Sequence, residues 1–233
     1  MSPGSDARYR AGTAVRRFMQ SWRERPPRLR APLFSPDREL ARIVERCRRA
    51  GVDQTFALAS YESHQPVLLA LLRAVPDARV LELGTGYGST PLVLGLSGRS
   101  LSLETDPTWR RRYSRYASEA HRIELWQDFD QNEWRCPYFS ESWDVALVDN
   151  SPGTTRQRNL EQLAASTRFI VCHDTQECFG PAASNFGWDF STFPHVWTYT
   201  RFTTYTTVVS RTHAIPLDCL PGVCGQPTER KSA

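Results

Sequence analysis

Two groups of residues carry side chains and spacings suited to chemistry. The first is Glu82-Leu83-Gly84-Thr85-Gly86-Tyr87-Gly88, followed at Glu104 by a second carboxylate, 20 residues beyond the first glycine. Glycines permit positive φ and let a ligand approach the backbone, and a helix that starts just after them directs free N–H groups into the same space. An acid at that distance suits the hydroxyls of a ribose. The second group is Asp149-Asn150 and His173-Asp174-Thr175, two acids and an imidazole at the ends of apolar runs. Asp149 and Asp174 come side by side if those runs are neighbouring strands. Two nearby carboxylates repel unless a cation joins them. That cation is a divalent metal, or a sulfonium together with a lysine or arginine.

The glycine group decides between cofactors. A dinucleotide fingerprint needs a third glycine one place later, where Ser89 stands. Here the glycines alternate, and Glu82 precedes them by two residues. A carboxylate there suits a ligand carrying a sulfonium and an ammonium better than one carrying a pyrophosphate. The cofactor expected is S-adenosylmethionine (SAM), with Glu82, Gly84, Thr85, Gly86, Tyr87, Gly88 and Glu104 around it, and NAD is not expected.

The elements that must position these groups follow from hydrophobic periodicity. Val80, Leu81 and Leu83, bounded by Pro76-Asp77, read as a buried strand, and Ser89-Thr90-Pro91 as a helix start. Strands are expected at 80–83, 100–104, 122–126, 144–148 and 168–172. Helices are expected at 35–50, 66–74, 90–97, 107–120 and 155–166. Alternating β and α units imply a doubly wound α/β fold with a mostly parallel sheet. Residues 195–201 and 204–210 are Thr/Tyr/Val-rich and closely connected, and read as an antiparallel C-terminal strand pair closing the sheet edge. Ligands of such sheets bind beyond the carboxyl ends of the strands. His64 and Tyr61, on the approach to helix 66–74, reach over that end and could face substrate. Phe186, Trp188, Phe190, Phe193, Trp197, Tyr199, Phe202 and Tyr205 supply strand core and candidate walls of an apolar pocket.

On these motifs, residues 61–211 resemble class I SAM-dependent methyltransferases. The resemblance implies a Rossmann-like fold and places adenine at the third strand's end, against Asp128, with Phe129 or Trp126 beside the ring. It also makes Asp149 a contact to the cofactor as well as to the acceptor. A subgroup similar to catechol O-methyltransferases holds Mg²⁺ at the ends of strands four and five. That likeness implies a metal on Asp149, Asp174 and either His173 or Thr175, although Asp174-Thr175 stands where that subgroup usually has Asp-Asn. Histidine is a poor Mg²⁺ ligand and a good general base near neutral pH, so His173, with Asp149 and His64, is equally a catalytic candidate. Val148-Asp149-Asn150-Ser151-Pro152-Gly153 and Cys172-His173-Asp174-Thr175 resemble segments of a bacterial and phage branch, which implies no substrate. Asp149-Asn150-Ser151-Pro152 stands where many nucleic-acid amino-methyltransferases carry Asn-Pro-Pro-Tyr, which argues against base N-methylation.

The function expected is methyl transfer from SAM to an oxygen of a small molecule. The alternatives are a methyltransferase for a protein or RNA, and a SAM-fold binding module without catalysis. Residues 1–30 hold eight arginines against Asp6 and Glu24, a net of +6, so the +4 of the whole chain leaves −2 for the rest. Residues 1–34 read as a solvated, disordered Arg-rich extension, with attraction to nucleic acid as its functional alternative. Residues 35–215 read as the methyltransferase domain and 216–233 as an irregular tail. No apolar run approaches the ~20 residues of a membrane span. Arg16-Arg17 lacks the apolar stretch an export signal needs, and the six cysteines show no CxxC spacing. A cytoplasmic protein with reduced thiols is expected.

Overall fold

The computed structural model describes residues 63–126, 136–176, 186–200, 204–216 and 220, all within one compact unit, Ile43–Ala233. The Arg-rich extension, the helix expected at 35–50, Tyr61, Asp128, Phe129, Phe202 and most of the tail lie outside the described residues. Seven strands form one sheet: β1 (Arg79–Leu83), β2 (Arg99–Glu104), β3 (His121–Leu125), β4 (Trp143–Val148), β5 (Thr167–His173), β6 (His195–Tyr199) and β7 (Thr206–Ser210). Their order is β3-β2-β1-β4-β5-β7-β6, with β1 to β5 parallel. β7 runs antiparallel to β5, and β6 antiparallel to β7, so β6 points the same way as β5. The fold is Rossmann-like and mostly parallel, as the alternation of elements implied. Strand order reverses between β1 and β4, and a crevice at that reversal is where such sheets bind ligands.

Period-two alternation decides which face each strand residue serves. Val80, Val145, Leu147, Phe169 and Val171 join one core cluster with helix α1 (His64–Ala74) and helix α2 (Thr90–Leu96). Leu81, Ala146, Val148, Ile170 and Cys172 join the other, with helix α4 (Arg156–Leu163). Near-continuous apolar strands are what a sheet covered on both faces requires. α1 begins two residues earlier than the periodicity suggested, because Pro66 is tolerated within a first turn whose N–H groups lack helical partners anyway. The shift draws His64 into the helix. Helix α3 (Pro107–Tyr113) is shorter than the predicted 107–120. The Ser114 hydroxyl donates to the Arg111 carbonyl at 2.9 Å, and the chain tightens into a 3₁₀ turn over Ser114–Tyr116. Among the described residues no helix is long and apolar enough to cross a membrane. Cys136 and Cys172 are buried and form no disulfide.

Candidate functional site

The loop after β1 is shaped by what lies beneath it. Gly84 sits at φ +89° with its missing Cβ against β4's exit: a Cβ there would fall 2.6 Å from the Asp149 carbonyl oxygen. Only glycine meets both demands. Glu82 is fully buried and does not face outward. Ser102, its register partner on β2, donates its hydroxyl to Glu82 Oε2 at 2.6 Å, and Thr90 donates to Oε1 at 3.0 Å. The Thr90 oxygen in turn accepts from the Gly86 amide at 2.9 Å. Glu82 thus templates the glycine turn through one hydroxyl. Burial pushes its carboxyl up to about 7, with the bonds from Ser102, Ser89 and Thr90 opposing.

Glu104, at the end of β2, is also occupied from within. Its Oε2 accepts from the Thr85 amide at 2.8 Å and the Thr85 hydroxyl at 2.6 Å, and its Oε1 from the amides of Thr105 and Asp106 at 2.7 and 2.9 Å. All of these donors are neutral. Asp106 caps α3 by accepting from the Thr108 amide at 2.6 Å. Tyr87 lies on the surface, edge-on to Trp109 at 5.1 Å, and the Arg112 guanidinium covers both rings.

Across the reversal, β4 ends at Asp149 and β5 at His173-Asp174. Between the two acids lies Arg156, the first residue of α4. Its Nη2 is 2.8 Å from Asp149 Oδ1, and its Nη1 donates to Asp174 Oδ2 at 3.1 Å and to the His173 carbonyl at 3.2 Å. Nε donates to the Asn150 carbonyl at 2.9 Å. The Phe186 ring lies over the guanidinium at 4.6 Å. Asp174 adopts φ +61°, the left-handed turn that returns its carboxylate towards Arg156. The cation that two neighbouring acids demand is therefore present as a side chain. Arg156 was not among the residues sequence reasoning selected. One signal was available: a cation in the first turn of a helix opposes the helix dipole, which implies a partner elsewhere.

His173 points Nδ1 at Asp149 Oδ1, 3.2 Å away. His64 arrives from α1, and the two rings meet edge to face with centroids 4.5 Å apart. Burial alone would raise the Asp149 carboxyl, but the charges of His173 and Arg156 outweigh it and hold the group well below the usual carboxylate range. Burial alone would lower His173, yet Asp149, by charge and hydrogen bond, and then Asp174 raise it above its ordinary value. Burial, then the charge of His173, lower His64 to about 3 against a weaker upward pull from Asp149, so it stays neutral. Of the predicted residues, His64, Asp149 and His173 converge. Asp174 is paired with Arg156 at 3.1 Å while its Oδ2 stays 3.6 Å from His173 Nδ1, and Thr175 is buried against Thr207 at 2.8 Å. Asn150 turns inward to Thr155 and Asn159, holding the loop that delivers Arg156.

No protein-family model and no curated protein matches the sequence. Solved structures are similar over part of the chain. An rRNA methylase from Streptococcus thermophilus is 15% identical, over 61% of this chain and 92% of that one, with a TM-score of 0.42. A putative methyltransferase from Escherichia coli is 12% identical, over 64% and 86%, with a TM-score of 0.42. A putative methyltransferase from Streptococcus mutans, in complex with SAH, is 13% identical, over 60% and 92%, with a TM-score of 0.41. The likeness to each is one of fold.

Proposed function

We propose that this protein transfers a methyl group from SAM to an oxygen of a small-molecule acceptor. The observation that carries the reading is the meeting of two unlike groups at one strand-order reversal. The glycine turn after β1 abuts the backbone of Asp149, and behind Asp149 stand His173 and His64. The turn fits a cofactor at Gly86, where an added Cβ would meet the Ser89 hydroxyl at 3.5 Å and the Gly88 nitrogen at 4.0 Å, so the backbone there can be approached closely. Gly84 to Gly88 and Glu104 would hold SAM, with Asp128 and Phe129 retained as adenine candidates. Bound there, SAM supplies an electrophilic methyl group on a sulfonium. Glu104 would exchange the Thr85 donors for ribose hydroxyls, one neutral donor for another.

The chain's own contribution is mostly positioning. Asp149, fixed by Arg156 from one side and His173 from another, lies next to the cofactor turn. With His64 and His173 it holds the acceptor and lowers the cost of deprotonating it. The two imidazoles are 4% and 3% exposed, which favours a narrow acceptor over a bulky one. A second reading, a macromolecular substrate such as RNA, draws on exposed Arg110 and Arg111 beside Trp109 and Tyr87 on α3, since arginines interleaved with aromatics suit a nucleic-acid strand. Methyl transfer from radiolabelled SAM, screened over phenols, hydroxy acids, peptides and RNA, separates the two. Label in RNA with none in any small molecule would overturn the first.

A further inference from the structure

Three ring nitrogens at the acceptor end are buried without a hydrogen-bond partner: Nδ1 and Nε2 of His64, and Nε2 of His173. Buried polar groups are paired as a rule, so three orphans on two touching side chains indicate a ligand. One donor atom each from His64, Asp149 and His173 lies within 4.8 Å of the other two. Donors on one tetrahedral ion of zinc's size are about 3.4 Å apart, so side-chain rotations that close up to about 1.4 Å bring the three into range. The three come from separate elements, the start of α1 and the ends of β4 and β5, and are held by packing on three sides.

We propose that His64, Asp149 and His173 bind a divalent transition-metal ion of borderline softness, such as zinc or cobalt. The donor set decides the ion. Two imidazoles and one carboxylate suit zinc, cobalt or nickel, whereas magnesium prefers oxygen ligands. Among the described residues Asp149 is the one oxygen donor grouped with the two imidazoles, while Asp174 is paired with Arg156 and Thr175 with Thr207. One outer support of a metal site is present: the ligand carboxylate of Asp149 is steadied by Arg156. Three protein ligands leave a position open. The inference rests on the reading of this end as the acceptor site. An acceptor hydroxyl filling the open position would release its proton to solvent, and the ion would hold the resulting oxyanion.

The test uses the full chain, stripped of metal by a chelator and then titrated with Co²⁺ in visible absorption and with Zn²⁺ and Mg²⁺ by calorimetry. Expected are one Co²⁺ per chain with a ligand-field band, displacement by Zn²⁺ and no heat with Mg²⁺. His64→Ala and His173→Ala should each weaken Co²⁺ binding at least tenfold, while Asp174→Asn changes it by no more than about threefold. His64→Gln, checked for folding by circular dichroism, serves if the alanine variant does not fold. No Co²⁺ or Zn²⁺ binding by the folded chain overturns the proposal, and so does binding unchanged in the folded histidine variants. Loss of binding in Asp174→Asn also overturns it, since the ligand set would then be a different one. SAM titration of the same preparation reads the cofactor end alone, so failure of the ion and failure of the methyltransferase reading are told apart.

Discussion

Each end of the site holds two carboxylates, and the two ends treat them differently. At β1 and β2, Glu82 and Glu104 are surrounded by hydroxyls and amides. At β4 and β5, Asp149 and Asp174 share one guanidinium. Neutral donors can be exchanged for the hydroxyls of an arriving ligand at little cost, because one hydrogen bond replaces another of similar strength. A desolvated ion pair cannot, since removing one partner strands the other charge in low dielectric. The first end is therefore built to re-form around a cofactor, and the second to hold still. Rigidity at the second end has a consequence for the histidines. With Asp149 and Asp174 held by Arg156, neither carboxylate hydrogen-bonds His64, whose two nitrogens have no hydrogen-bond partner among the described residues.

The largest effect should come from breaking the charged end. Arg156→Ala leaves two mostly buried acids with only His173 as counter-charge and should lower stability by about 3–5 kcal/mol in urea unfolding. A loss below about 1 kcal/mol would mean the acids are well solvated and the contrast is false. The next effect belongs to the neutral end and appears as a pH dependence. The Glu82 carboxyl is raised from 4.5 to about 7 in the folded protein. The folded state thus binds the extra proton between those values. Its contribution is full below about 4.5 and is lost as pH rises through about 7, a fall of about 3 kcal/mol. Glu82→Gln should remove that fall while keeping the shape of the side chain. Parallel stability profiles for variant and wild type would show that Glu82 is ionised without penalty.

Much of this contrast was legible in the sequence, but not its partners. Runs such as Val80-Leu83 and Val145-Val148 announce strands because both faces of the sheet are covered, and the β1 glycines announce a turn because Gly84 admits no side chain. Glu82 was legible as important and not as buried: sequence gives its place before the turn, while Ser102 and Thr90 become its partners only through the β1–β2 register and the first turn of α2. The two acids at β4 and β5 implied a cation, and a metal or an arginine would have met the need equally. Arg156 follows Asp149 by seven residues, yet it reaches both acids only because Asn150 folds the intervening loop inward. His64 joined the cluster because α1 starts early. Asp174 is shared between Arg156 and His173 because its left-handed backbone turns it to both.

Smaller effects sharpen the neutral end. Glu104→Ala should weaken SAM binding by about 1–3 kcal/mol, through loss of the ribose partner and of the Thr85 anchor together. Thr85→Val removes only the hydroxyl on Glu104 Oε2 and should change SAM affinity by less than about 1 kcal/mol. If Thr85→Val weakened SAM as much as Glu104→Ala, the carboxylate would be acting on the loop and not on the cofactor.

The most direct measurement is a calorimetric titration of the full chain with SAM, SAH and NAD, repeated on His173→Ala. Expected are one SAM or SAH per chain, no heat from NAD, and an affinity for SAM within about threefold of wild type in the histidine variant, because the cofactor is held across the reversal by a separate set of groups. Binding of NAD with no binding of SAM would contradict the cofactor assignment, and loss of SAM binding in a folded His173→Ala protein would contradict the division of the site into two ends.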